Sequence, residues 1–153
     1  MRILVMSDSH GNKDAVLRAV ARESPDMILH LGDHDRDCSA IEIEYPEIPV
    51  RSVRGNCDRS SYGLDTDEFT VGEKRFFITH GNLYRVKTGY SHIIDSARRK
   101  GADVLLFGHT HDTYYSVLDG LAIINPGSIG MDEKTYAVLD LKDGAIECEF
   151  MNL

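Results

Sequence analysis

Side chains that bind metal ions recur in this sequence directly after short apolar runs. The set comprises four imidazoles, two carboxylates and one amide: Asp8 and His10 after residues 2–6, Asp33 after residues 26–31, Asn56 after residues 50–53, His80 after residues 75–79, and His109 and His111 after residues 103–107. Because the carboxyl ends of parallel strands share one edge of a sheet, we expect these side chains to converge there.

The mixture of donors indicates the kind of ion. Imidazole nitrogens combined with carboxylate and amide oxygens suit Mn, Fe, Ni, Co or Zn, whereas Ca and Mg prefer shells of oxygen alone. The set offers more ligands than one tetrahedral ion uses, so two divalent ions that share a carboxylate fit it better. In the pairs Asp8/His10 and His109/His111, an extended backbone would direct both side chains to one side.

Helices and strands must position these residues, and their pattern begins with a βαβ unit. It comprises a strand at 2–6, a helix capped by Asn12 that runs to about Arg22, and a strand at 26–31. The next predicted elements are a strand at 50–53, a hairpin of 67–71 with 75–79, a helix capped by Thr88 that runs to about Lys100, and a strand at 103–107. Strands at 113–118, 121–124, 135–141 and 145–150 complete the chain, with a loop at 125–128. Residues 35–49 are predicted to form a loop with one short helical turn near 39–43.

Size and charge restrict the class of function. The chain has 153 residues, of which 42% are hydrophobic, and this suits one domain over residues 1–153. A net charge of −8, with no basic run longer than Arg98-Arg99-Lys100, argues against stable nucleic-acid binding. Cys38, Cys57 and Cys148 are odd in number and lack paired spacing, which favours a cytoplasmic location over a disulfide framework. No run approaches the roughly 20 apolar residues of a membrane span, so no membrane association is expected.

The motifs resemble those of the calcineurin-like metallophosphoesterase superfamily, and specifically its small, minimal-domain phosphodiesterases. The matching residues are Asp8-Ser9-His10, Gly32-Asp33, Gly55-Asn56-Cys57-Asp58, His80 and Gly108-His109-Thr110-His111. The resemblance implies an α/β fold with two mixed β-sheets in a sandwich flanked by helices, a four-layer α-β-β-α architecture. It also implies that Asp8, His10 and His111 hold one ion, that Asn56, His80 and His109 hold a second, and that Asp33 bridges the two.

The function implied by this resemblance is hydrolysis of phosphate diesters, with a metal-bridging hydroxide as the nucleophile. Mn is the expected metal, and Ni, Fe, Co or Zn are alternatives. The expected substrate is a small phosphodiester or a nucleotide-like compound, and a homodimer is compatible with the sequence. Two other functions stay open: a phosphomonoesterase of the same mechanism, and a non-catalytic metal-binding scaffold for protein interactions, as in a relative of this fold from membrane-trafficking coats.

The proton donor for the leaving group is the least defined part of the predicted site. Many relatives have His where this chain has Cys57, and many small relatives read His-Gly-His where this chain reads His80-Gly81-Asn82. We therefore expect a preference for leaving groups that depart without strong protonation, such as aryl or nucleotide oxygens.

The remaining candidates support or flank the ligands. Catalytic candidates are His34, Asn56, Cys57 and Asp58, and candidates for support of the ligands are Asn82 and Ser128. For Cys57, a small, buried apolar role is favoured over that of a nucleophile. His30 and His92 are interpreted as structural. Substrate selection is expected in residues 35–49 and 82–87.

Overall fold

Thirteen regular helices and strands make up the computed structural model, which describes residues 1–153. In chain order they are β1 (Arg2–Met6), α1 (Lys13–Glu23), β2 (Met27–His30), α2 (Cys38–Glu44), β3 (Val50–Ser52), β4 (Thr66–Val71), β5 (Lys74–Thr79), α3 (Ser91–Arg99), β6 (Val104–Leu106), β7 (Thr113–Leu118), β8 (Leu121–Pro126), β9 (Thr135–Lys142) and β10 (Ala145–Asn152). None of the helices combines the length and the apolar character needed to cross a lipid bilayer.

The strands form two five-stranded sheets of mixed direction. The first has the order β10-β9-β1-β2-β3, in which β1, β2 and β3 run parallel. The second has the order β4-β5-β6-β8-β7, in which β5, β6 and β8 run parallel. The remaining neighbours pair antiparallel.

Three apolar clusters lie between the layers of the fold, and successive side chains of β1 alternate between two of them. Ile3 and Val5 pack into the cluster between the two sheets, whereas Leu4 and Met6 pack beneath α1 on the outer face of the first sheet. On the outer face of the second sheet, Ile93 and Ala97 of α3 pack in the third cluster. A strand covered on both faces is apolar at its buried positions, as β1 is from Ile3 to Met6. The predicted four-layer α-β-β-α fold is confirmed.

The predicted elements are present with a few corrected boundaries. The Asn12 side chain accepts a hydrogen bond from the Ala15 N–H at 3.1 Å, so the predicted cap of α1 is confirmed. The predicted cap of α3 is wrong, because Thr88 closes a 3-10 turn with its hydroxyl donated to the Arg85 carbonyl at 2.8 Å. Tyr90 is the residue that precedes that helix.

Two segments predicted as loop are more regular than expected. Residues 35–49 contain a 3-10 turn, Asp35–Asp37, that leads directly into α2. The predicted helical turn at 39–43 was too short, because α2 extends over Cys38–Glu44. Cys38 and Ile41 are buried and anchor this helix on the core. Asn125 and Pro126, predicted as loop, belong to the end of β8.

Candidate metal centre

Ligand-type side chains from both sheets meet at the carboxyl ends of β1, β2, β5 and β6. Two groups of donor atoms each lie within 4.8 Å of one another: Asp8 with His10 and His111, and Asp33 with His80 and His109. A third group places Asp33 within the same distance of His10 and Cys57. Asp33 therefore belongs to the second group and also lies close to His10 of the first.

The backbone at these residues is not extended, which corrects one sequence-based expectation. Asp8 and His10 have φ of 54° and 47°, and His109 and His111 have φ of 69° and 65°. Asp33 also has a positive φ, 55°. Left-handed backbone costs on the order of 1 kcal/mol or more at each non-glycine residue, and Asp and His tolerate it better than most. The chain bends sharply at each ligand, and this bending brings both members of a pair to the centre.

Asp8 is fully buried, and one of its oxygens lacks a hydrogen-bond partner. Its Oδ2 accepts a hydrogen bond from the Ser7 hydroxyl at 2.5 Å and another from the His109 N–H at 3.1 Å. Its Oδ1 is buried and accepts none, although the His111 Nε2 lies 3.0 Å away. Burial of a carboxylate oxygen costs free energy unless that oxygen accepts a hydrogen bond or binds a metal ion. This oxygen, surrounded by imidazoles, fits a divalent transition metal.

The histidines are oriented as metal-binding histidines usually are. The Nδ1–H of His80 donates to the Leu31 carbonyl at 2.7 Å, so its Nε2 carries the free lone pair. That Nε2 faces the Nδ1 of His109 at 3.2 Å. Burial and then the neighbouring His80 and Lys87 lower the pKa of His109, which favours its neutral, ligating form. In the other group, the Nε2 atoms of His10 and His111 are 3.5 Å apart.

Cys57 lies at the centre, and its interpretation as a buried apolar residue is wrong. Its side chain is exposed, and its backbone N–H donates to the Asp33 Oδ1 at 2.8 Å. Desolvation raises the pKa of the Asp33 carboxyl, but the Cys57 bond and the nearby His80 outweigh it, so the net shift is downward. Partial desolvation and then Asp33 raise the pKa of the Cys57 thiol. Asn56, also exposed, donates its amide to the Cys57 sulfur at 3.5 Å.

His34 and Asp58 have different positions relative to the centre. The ring of His34 lies 5.9 Å from that of His10, edge to face. Asp58 is 2% exposed, and its carboxylate accepts three backbone bonds, from the N–H groups of His34, Asp35 and Gly55. These contacts give Asp58 a positioning role in place of the predicted catalytic one, because its oxygens are committed to the two loops that carry Asp33 and Asn56.

The two predicted supporting residues differ in their contacts. The Ser128 hydroxyl donates to the Asp8 carbonyl at 2.8 Å and accepts from the Met131 N–H, so it holds the ligand backbone in place. Asn82 begins a 3-10 turn, and its side chain makes no hydrogen bond to any ligand. Sequence reasoning missed Asn125, whose amide donates to the Gly108 carbonyl at 2.9 Å and supports the His109 loop.

Gly108 and Gly55 allow the ligand carboxylates to approach other strands closely. A Cβ at Gly108 would collide with the Ser7 hydroxyl and would lie 2.8 Å from the Asp8 Oδ2. A Cβ at Gly55 would collide with the Asp33 carboxylate. These contacts explain why glycine precedes the ligands in both motifs.

One open cleft adjoins the centre, and a second is lined partly by residues that follow the ligand Asp33 in the chain. One, of about 450 Å³, shares His111 with the centre and is lined by Asp112, Met131, Asp132 and Glu133. The other, of about 480 Å³, is lined by residues of 35–42 and 60–62. The sequence predicted a role for the second region only.

Comparisons with known proteins agree with this geometry. Residues 1–144 match the model of the calcineurin-like phosphoesterase superfamily domain. Probable metallophosphoesterase YsnB of Bacillus subtilis is 34% identical, over 98% of this chain and 90% of its own length. Phosphodiesterase MJ0936 of Methanocaldococcus jannaschii is 26% identical, over 83% of each chain. The chain belongs to the calcineurin-like phosphoesterase superfamily.

Solved structures show the same fold. That of a predicted phosphoesterase from Streptococcus pneumoniae has a TM-score of 0.83 and 24% identity, over 99% of this chain and 88% of the other. A zinc complex of Vps29 from Entamoeba histolytica has a TM-score of 0.77 and 19% identity, over 99% of both chains. At these identities the likeness shows the fold alone.

Proposed function

We propose that this protein is a phosphodiesterase that works with two divalent transition-metal ions and acts on a small phosphodiester or nucleotide-like substrate. The observation that carries the proposal is the position of Asp33 between two groups of ligands, together with the unpaired Asp8 Oδ1 in one of them. A single ion would leave half of these donors without a role. Asp8, His10 and His111 would hold the first ion, and Asn56, His80 and His109 the second, with Asp33 shared.

Two ions held there would supply a hydroxide nucleophile near neutral pH and positive charge for the phosphoryl oxygens. Neighbouring residues orient the side chains that would hold these ions. His80 is held in its ligating tautomer by the Leu31 carbonyl, and Asp33 is held by the Cys57 N–H. Because an acidic protein repels anionic substrates, local positive charge at this place is needed to attract a phosphate ester.

A diester is favoured over a monoester by the charge that surrounds the ligands. Burial, then His80 and then the charge of Lys87 lower the pKa of His109, but the ligand carboxylates and imidazoles make no hydrogen bond or ion pair with Lys or Arg. A phosphate diester carries one negative charge, whereas a monoester near pH 7 carries nearly two and gains more from additional cations. The name of the Methanocaldococcus relative points the same way. Mn is the metal we propose because carboxylate and amide oxygens suit it, and the imidazoles also suit Fe, Ni or Zn.

His34 is the residue we propose as proton donor to the leaving group, because its ring lies beside that of His10 at the rim of the centre. General acid catalysis contributes about 10²- to 10⁴-fold for leaving groups that need a proton. His34→Ala should therefore slow hydrolysis of alkyl esters far more than that of p-nitrophenyl esters. An equal loss for both would exclude this role.

The function is tested by hydrolysis of bis-p-nitrophenyl phosphate and p-nitrophenyl phosphate with metal-stripped protein. Mn, Ni, Co, Zn and Mg are added back singly, and His109→Ala is compared with His92→Ala, which changes an exposed histidine of α3. We expect metal-dependent turnover that favours the diester, survives in His92→Ala and disappears in His109→Ala. Preference for the monoester would support the alternative phosphatase. Tight metal binding without turnover of either would support the scaffold function.

A further inference from the structure

A fully buried group of hydrogen-bonded side chains lies beneath the ligands and is not used by the proposed chemistry. It comprises Ser9, His30 and Asp37, none of which is more than 1% exposed. Ser9 lies between the ligands Asp8 and His10, His30 is the last residue of β2, and Asp37 ends the 3-10 turn after Asp33. A buried histidine and a buried aspartate at this place need an explanation, because burial of such groups is costly without partners.

The hydrogen bonds of this group have only one consistent direction. The Gly32 N–H donates to the Nδ1 of His30 at 3.3 Å, so Nδ1 is an acceptor and the neutral ring carries its proton on Nε2. That Nε2–H points to the Ser9 hydroxyl at 3.1 Å. The hydroxyl then donates to the Asp37 Oδ2 at 2.7 Å. The result is an ordered chain from Gly32, through His30 and Ser9, to Asp37.

The hydrogen bonds to Asp37 anchor the residues on both sides of the ligand His10. The Asp37 Oδ2 that accepts the Ser9 hydroxyl also accepts the Gly11 N–H at 2.9 Å. His10 lies between these two anchored residues in a left-handed conformation with φ of 47°. Its own side chain is 30% exposed, and its ring meets those of His34 and His111 edge to face. The bonds to Asp37 therefore hold the strained backbone that directs the His10 ring to the centre.

We propose that Ser9, His30 and Asp37 are positioning residues that set the affinity of the first ion, the one held by Asp8, His10 and His111, with much less effect on the second. This inference rests on the two-ion function proposed above. The selectivity follows from the contacts, because the short bonds to Asp37, at 2.7 and 2.9 Å, fix the residues on either side of His10. The Ser9 hydroxyl reaches the carbonyl of the shared ligand Asp33 only at 3.4 Å, and His80 is fixed separately by the Leu31 carbonyl. Residues that orient ligands in this way typically change metal affinity about 10- to 100-fold when removed.

The test measures Mn²⁺ affinity by calorimetry in two backgrounds that each retain one ion. His109→Ala removes a ligand of the second ion, and His111→Ala removes a ligand of the first. Ser9→Ala and Asp37→Ala are then introduced into each background. Asp37→Asn serves as the conservative variant, because its amide oxygen can still accept from Ser9 and Gly11. Ser96→Ala, which removes a buried hydroxyl from α3 that contacts only Tyr84, is the matched control.

We expect Ser9→Ala and Asp37→Ala to weaken Mn²⁺ binding about 10- to 100-fold in the His109→Ala background and less than threefold in the His111→Ala background. Asp37→Asn should recover most of the lost affinity, and Ser96→Ala should change neither background. Equal losses in both backgrounds, or a loss that follows only the unfolding temperature, would overturn the inference and leave the two-ion function intact. Wild-type protein that binds fewer than two Mn²⁺ ions would contradict the proposed function and the inference together.

Discussion

Asp8→Asn should make the metal-free protein more stable and the metal-loaded protein less stable. The Asp8 carboxylate is fully buried, and its Oδ1 has no hydrogen-bond partner. An amide of the same shape removes the buried charge, and its oxygen can still accept the bonds from Ser7 and the His109 N–H. Because an unsatisfied buried group costs about 1–3 kcal/mol, we expect a gain of about 1–2 kcal/mol without metal.

Metal ions should reverse this order. An ion present at about 1,000 times its dissociation constant stabilises the folded state by about 4 kcal/mol. Wild type gains that amount from each ion, whereas the variant loses its first ion. The variant should therefore be less stable by about 2–3 kcal/mol with metal, since about 4 kcal/mol is lost and about 1–2 kcal/mol is retained.

Differential scanning calorimetry at pH 8 with EDTA or with excess Mn²⁺ measures both states. For a chain of this length, about 1 kcal/mol shifts Tm by roughly 2–4 °C. The Tm of the variant should be about 2–8 °C higher than that of wild type in EDTA and about 4–12 °C lower with Mn²⁺. Asp95→Asn, which removes an exposed charge from α3, should be neutral in both conditions. A variant that is less stable in EDTA, or an order that does not reverse, would refute this account of Asp8.

Three further predictions concern the residues that hold the centre and the core. Gly108→Ala forces a Cβ against the Ser7 hydroxyl, so it should cost about 1–3 kcal/mol in urea unfolding and also weaken metal binding. Burial lowers the pKa of His30 from 6.5, so the unfolded chain binds a proton at a higher pH than the folded protein does. As the pH decreases below about 6.5, the free energy of unfolding of the metal-free protein should therefore decrease by up to about 1.4 kcal/mol per pH unit. His30→Gln should lack this component. Tyr136→Phe removes the 2.7 Å bond to the buried Glu23 and should cost about 1–3 kcal/mol without change in the diesterase rate.

The strand ends that carry the ligands could be predicted because their signal is local. A continuous apolar run such as residues 3–6 identifies a strand covered on both faces, and the polar residue that follows it marks the edge of the sheet. The same reasoning located β2 and β6 and therefore placed Asp33 and His109 at one edge. The Asn12 cap was predictable for the same reason, since it depends on residues within one turn.

The left-handed backbone of the ligands could not be predicted, because tertiary contacts impose it. The positive φ of His10 is held by Asp37, which lies 26 residues from the Gly11 amide that it binds. The prediction that Cys57 is buried was wrong because it relied on the general tendency of free cysteine to be buried. The loop after β3 leaves its side chain exposed and directs it toward Asp33. The cleft beside His111 was missed because Met131, Asp132 and Glu133 come from a separate loop after β8.

Anomalous diffraction from crystals of the Mn²⁺-loaded protein tests the central claim most directly. The account predicts two Mn peaks: one among Asp8, His10 and His111, the other near His80 and His109, with the Asp33 carboxylate between them. A single peak, or a second peak away from Asp33, would contradict the two-ion centre and the mechanism built on it.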